Sequence, residues 1–207
     1  MRTIKRKALP LNPGKHRCLQ KLCRAYAKEK QYWLDKLKSW EFQALLGKPR
    51  TIRDAFMGKK YASLYGLQAR HWKLALQDAV ETWDKYWQAT FVDVKSKIYR
   101  KYKDEVERHY AYWLLKSYSQ FADLMKGNDP EPPFKIERSS CHQIACYIRA
   151  TVKKLKGSHP KVKKARIVKF DANCYEVFSH ENRQYIKLMT LEKGKRVVIP
   201  LMGVTKV

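Results

Sequence analysis

The chain has 207 residues, enough for one good hydrophobic core or two modest ones, so length leaves the number of domains open. Its 45 Lys+Arg against 19 Asp+Glu give a formal charge of +26, which a compact body tolerates only when polyanions or counterions screen it. Nucleic acid is the first-choice partner, while 44% apolar and 13% aromatic residues exclude a disordered basic tail.

No run approaches the roughly 18 consecutive apolar residues of a membrane span, and the N-terminal "MRTIKRKALPLNPG" has no apolar secretion-signal core. These features place the expected location in the cytoplasm, in association with the nucleoid, and away from membranes. The five cysteines form no C-x-x-C pair, which fits free thiols in a reducing compartment.

In chain order, residues 2–9, "RTIKRKAL", alternate charged and apolar positions like an edge strand, and Pro10 forbids its simple continuation. Leu19, Leu22, Cys23, Tyr26, Trp33, Leu34, Leu37 and Trp40 then share one helical face, with Asn12 and Pro13 as cap and first-turn residues. The stretch 45–66 is interrupted by three glycines and a proline, with Thr51 expected to cap a short helix from Ile52 to Phe56. The helical stripe resumes at Trp72, Leu76, Val80, Trp83, Trp87 and Phe91, and again from Ile98 to Leu124. "KGNDPEPPF", 126–134, ends the helices with Gly127 and three prolines. A helix around 141–156 follows, then four β-like runs, "ARIVKF", "CYEVFS", "YIKLMTL" and "RVVIPL". An isolated strand at 2–9 needs partners, so the helices are read as an insertion into a small β module that closes around that strand.

The densest charge run, Arg149 to Lys169, carries Lys153, Lys154, Lys156, Lys161, Lys163, Lys164 and Arg166 without a single acid. Such a run neutralises phosphates, and "RTIKRK", with Lys5, Arg6 and Lys7, supplies a second. The tryptophans fall at helical spacing, which assigns them to a bundle core rather than to base stacking. "CHQIAC" (Cys141, His142, Cys146) departs from the usual zinc-ligand spacings, so buried or free thiols are the default. No carboxylate cluster suited to a two-metal nuclease is present: Asp171 and Glu176 stand singly, and Asp104, Glu105 and Glu107 read as intrahelical ion pairing. The chain is expected to be non-catalytic.

The element order, together with "LQARHWKLALQDAVETWDKYW" (67–87) and "YIKLMTLEKGKRVVIPL" (185–201), resembles the N-terminal half of TnpB, the transposon-encoded RNA-guided nuclease, and of the compact type V CRISPR effectors. The resemblance implies an α+β fold in which a helical bundle, the recognition lobe, is inserted into a small OB-like β-barrel, the wedge. The expected limits are 1–11 for the first wedge strand, 12–127 for the recognition lobe and 128–207 for the remaining wedge, with a basic linker at 153–169.

The same resemblance implies guide RNA held by the two basic runs and by the hairpin cations Lys193, Lys195 and Arg196. It implies target double-stranded DNA, with its short target-adjacent motif, near Arg53, Lys59, Lys60, Gln68, Arg70, His71 and Lys73, where Arg70 would read a base. The RuvC nuclease domain would follow the hairpin, so the chain is expected to be a split, truncated or partial effector. Its other partners would be a RuvC-bearing chain or a second protomer, with no cofactor here and Mg²⁺ only where a RuvC domain is present. The alternative is a stand-alone regulatory nucleic-acid-binding protein on the same scaffold.

Overall fold

The computed structural model describes residues 6–57 and 60–202; Lys5 and Lys59, and most of the "RTIKRK" run, lie outside them. The described residues form an α+β fold of seven helices and one three-stranded antiparallel sheet. No helix among them is long and apolar enough to cross a membrane.

Helix α1, Pro13–Lys36, starts where the sequence places it: the Asn12 carboxamide oxygen accepts from Lys15 N at 2.8 Å, and Pro13 has no N–H to leave unpaired. The apolar stripe was expected to continue to Trp40, but α1 ends at Lys36 and Trp40 opens the single turn α2, Trp40–Gln43. Helix α3 is Pro49–Met57, so Thr51 lies inside it and the proline, pre-set at helical φ, begins it. Helix α4, Ala69–Lys101, takes the whole stripe through Ile98. The stripe beyond it is two helices, α5, Glu105–Trp113, and α6, Tyr118–Lys126. The reason is local: Asp104 and Ser117 have extended backbones, and their side chains accept from Glu107 N and Gln120 N, so each caps a new start. Asp104 is thus a cap and not an ion-pair partner. Gly127, in the left-handed region at φ +107°, ends α6, and α7 spans Arg138–Leu155.

The chain divides into two units. A helical unit comprises Tyr32–Tyr61 and Gln77–Lys161, and a sheet-bearing unit comprises Met1–Gln31, Ala62–Leu76 and Val162–Val207. The division differs from limits at 11 and 127, because α7 groups with the helices and the starts of α1 and α4 group with the sheet.

In the helical unit Trp33, Trp83, Trp87, Phe91 and Phe121 are buried, as helical spacing predicts for a core. Trp87 and Phe91 each meet Phe121 edge-on with ring centroids 4.8 Å apart. The indole N–H of Trp83 donates to the Leu34 carbonyl at 3.1 Å, and that of Trp87 donates to the buried carboxamide of Gln43. In the sheet-bearing unit the core holds Leu22, Tyr26, Leu67, Trp72, Leu76, Cys174, Val197 and Ile199.

The sheet consists of β1, Tyr175–His180, β2, Arg183–Met189, and β3, Arg196–Pro200, in that order. Glu181 and Asn182, at φ +47° and +59°, make the two-residue turn between β1 and β2. Beside β3, Ala8 bridges to Leu201, with Leu9 N donating to the Pro200 carbonyl at 2.9 Å and Met202 N to the Lys7 carbonyl at 2.8 Å. Of the strand expected at 2–9, the described residues 6–9 form this isolated bridge rather than a strand, and residues 2–5 lie outside the described residues.

A closed barrel is not formed among the described residues. "ARIVKF" is no strand: it carries like charges at Arg166 and Lys169, its Ile167 is 73% exposed, and no apolar face is buried to offset ordering it. The sheet stays open along β1.

Candidate nucleic-acid interface

Antiparallel register decides which side chains share a face. The pairs Val177 with Ile186, Ile186 with Ile199, and Leu188 with Val197 put these residues on one side of the sheet, where Val197 and Ile199 are buried. The opposite side carries Glu176, Phe178 and His180 of β1, Arg183, Tyr185 and Lys187 of β2, and Arg196, Val198 and Pro200 of β3. None of these nine is buried: Glu176, His180, Arg183 and Arg196 are exposed and the other five half-buried, so among the described residues this face is open to solvent in part.

Three cations, Arg183, Lys187 and Arg196, therefore lie on one open face with a single carboxylate. Glu176 is 3.8 Å from both Lys187 Nζ and Arg196 Nη1, and one carboxylate cannot neutralise two cations. Between the cations Phe178 and Tyr185 stack, with centroids 5.4 Å apart and planes 16° from parallel. Both rings are half-buried, and cations flanking accessible ring faces are what a nucleic-acid strand uses: phosphates pair with the former and bases lie on the latter.

Of this set only Arg196 was singled out from sequence; Phe178, Arg183, Tyr185 and Lys187 were missed. The signal was present in "RQYIK", where strand alternation sends Arg183, Tyr185 and Lys187 to one side. Charge runs were sought in contiguous residues, and a strand spaces its charges by two.

The expected RNA-side residues are divided between the two units. Arg6 is exposed and donates to the Gln184 carboxamide on β2, and Lys7 is exposed beside it. Lys193 and Lys195 are exposed at the β2–β3 turn, Lys195 paired with Glu192, where Gly194 at φ +79° permits the backbone. Lys163, Lys164 and Arg166 are exposed in the irregular segment of the sheet-bearing unit. Lys153, Lys154 and Lys161 are exposed in the helical unit, where half-buried Lys156 offers its carbonyl to the Tyr86 hydroxyl.

Of the residues expected to face a duplex, Gln68, Arg70 and His71 are engaged or buried within the sheet-bearing unit. The Gln68 carboxamide donates to the carbonyls of Thr190 at 2.7 Å and Glu192 at 3.1 Å, latching the start of α4 to the β2–β3 turn. Arg70 Nε donates to Asp171 Oδ2 at 2.7 Å. Burial would raise the Asp171 carboxyl, but the Arg70 hydrogen bond and charge outweigh it and hold that group below the usual carboxylate range.

His71, expected at the surface, is fully buried. Neither ring nitrogen has a hydrogen-bond partner, and its ring meets Phe170 edge-on at 5.6 Å. Burial pushes its pKa down, only partly countered by the Asp171 charge. Lys73 is half-buried with Nζ 5.8 Å from the Trp72 ring centroid. In the helical unit Arg53 pairs with Asp54 at 2.8 Å and Lys60 is exposed at φ +51°.

"CHQIAC" is a brace. His142 Nδ1 lies 2.6 Å from Asp129 Oδ2, and Arg149 donates to Asp129 Oδ1 at 2.9 Å and to the Asn128 carbonyl at 3.0 Å, tying the proline-rich loop to α7. Against the upward push of burial, these bonds hold the Asp129 carboxyl low. Cys141 is buried while Cys146 is exposed, and no group of three or more His, Cys, Asp or Glu able to hold a metal occurs among the described residues.

No family model, curated protein or solved structure matches the chain.

Proposed function

We propose that this chain holds RNA by its sugar-phosphate backbone, as the guide-RNA-gripping and target-DNA-contacting portion of a TnpB-like RNA-guided DNA nuclease. The observation that carries the reading is the partly exposed sheet face, three cations and a stacked ring pair against one carboxylate, in a chain of formal charge +26. In this reading the sheet, with residues 7–9 beside β3, is part of an OB-like wedge barrel, and the helical unit is the recognition lobe. Base pairing would read the target, while the protein would read backbone shape and a few motif bases. Cleavage, with its Mg²⁺, would belong to a RuvC-bearing segment or chain, and the protein would act in the cytoplasm at the nucleoid.

The test is to purify the chain from cells and sequence the RNA that accompanies it, then measure binding of that RNA against salt. A single structured RNA whose affinity falls steeply between roughly 50 and 200 mM salt, as counterion release at phosphate contacts requires, supports the reading. Heterogeneous RNA fragments bound with little salt dependence overturn it. A discrete RNA with no RuvC-bearing chain in the same complex would favour the stand-alone regulator instead.

A further inference from the structure

The rings of Phe178 and Tyr185 are separated by 5.4 Å, close to the spacing of about 4.7–4.9 Å between adjacent strands. Nearly parallel rings at that spacing on neighbouring strands stand up from the sheet, face to face. Tyr185 lies between Phe178 on one side and its other cross-strand partner, Pro200, on the other. Phe178 is different, because among the described residues β1 is the edge strand and no strand lies beyond it. One ring face of Phe178 is thus turned off the edge of the sheet, at the end of an existing stack.

The chemistry around that end is that of a nucleotide strand. Arg183 pairs with His180 across the turn at one end of the face, and Lys187 and Arg196 lie on the other side of the ring pair. A base continuing the stack has cations to either side for its 5′ and 3′ phosphates. A base inside a duplex has both faces covered by its neighbours, so apart from the two end pairs of a helix only an unpaired base can add to the stack.

The geometry points to an unpaired-nucleotide site at the β1 edge, in which a single-stranded base stacks on Phe178, backed by Tyr185, and Arg183, Lys187 and Arg196 hold the flanking phosphates. This rests on the RNA-holding reading above and specifies which part of the nucleic acid the sheet takes: a single-stranded segment, ribose or deoxyribose, and not a helix. The expected discrimination is chemical: the rings should set single-strand preference without altering salt dependence, and the cations should do the reverse.

The experiment uses the full chain with fluorescein-labelled 12-nucleotide oligo(U), oligo(dT) and a blunt RNA duplex with the same number of phosphates. Phe178→Ala is expected to weaken oligo(U) and oligo(dT) binding by roughly 5- to 150-fold, with duplex binding and the salt slope unchanged. Phe178→Tyr, which keeps the ring, should restore it. Glu176→Gln, which frees two cations, should tighten all three probes. Loss of ribose binding alone would restrict the site to RNA and overturn its indifference to the sugar. Equal weakening on single strand and duplex, or no change, would overturn the proposal.

If Phe178→Ala does not fold, 5-bromouridine crosslinking to the unaltered chain decides. Crosslinks at Phe178 or Tyr185 support the site, and crosslinks confined to 153–166 refute it. Binding to neither single strand nor structured RNA would defeat the proposed function itself. Binding of structured RNA with inert ring variants would defeat this inference alone.

Discussion

His71 shows what a polar residue at the start of a helix can become once the chain closes over it. With both ring nitrogens buried and unpartnered, it is held neutral, and its pKa is lowered from the usual 6.5. The unfolded chain therefore takes up a proton near pH 6.5 that the folded chain resists, and stability falls as pH drops from 6.5 toward the lower folded value. His159 acts in the same sense, lowered by burial and by the Lys156 and Lys38 charges. Urea melts of His71→Phe between pH 5 and 8 should show a shallower acid-side fall than the parent, and an identical fall would remove His71 from the explanation. The neighbouring residues explain why this was illegible in sequence. Polarity at 68–73 was plain, but the partners of Gln68 and Arg70 lie at 190, 192 and 171, more than 100 positions away, and local periodicity carries no information about such contacts. Asn12, whose partner is three residues on, was readable for the same reason.

The strands show the same contrast between local and long-range information. Each hairpin strand was legible from alternation and turn residues, Gly127 and Asn12 sit where expected, and Trp33, Trp72, Trp83 and Trp87 are buried, while Trp40 and Trp113 are only half-buried. The facing was not. Alternation in "RVVIPL" fits either parity, and only the β2–β3 register decides it, pairing Val198 with Lys187 on the open face and burying Val197 and Ile199. Ile199→Ala should therefore cost about 2–4 kcal/mol in equilibrium unfolding, and Val198→Ala less than about 1 kcal/mol. Equal costs would contradict the register. At the turn, replacing Lys193, Lys195 and Arg196 with Gln should leave the thermal midpoint unchanged, since all three are exposed and Gly194 sets the backbone. The salt slope of RNA binding should fall by up to about three units, one per lost phosphate contact; an early melt would show that the turn is structural.

For the molecule as a whole, charge was the most informative quantity and topology the least. A formal charge of +26 makes a polyanion the first partner to propose, and it carries no information about where on the surface such a partner would lie. The open sheet could not be read from four β-like runs, because a run becomes a strand only when a partner and a buried face exist, and 165–170 has neither among the described residues. Purified chain supplied with Mg²⁺ and RNA should cut neither RNA nor DNA, since its carboxylates are scattered or committed: Asp171 to Arg70, Asp129 to His142 and Arg149, Asp104 to a helix cap. Metal-dependent cleavage abolished by a point substitution in this chain would contradict that. RNA held through the open sheet face is tested most directly by the slope of log affinity against log salt for structured RNA. The slope should be steep for the parent, and Arg183→Gln, Lys187→Gln and Arg196→Gln together should make it shallower by about three units without unfolding the chain. A parent slope near zero, or a triple variant whose slope matches the parent's, would place the grip elsewhere.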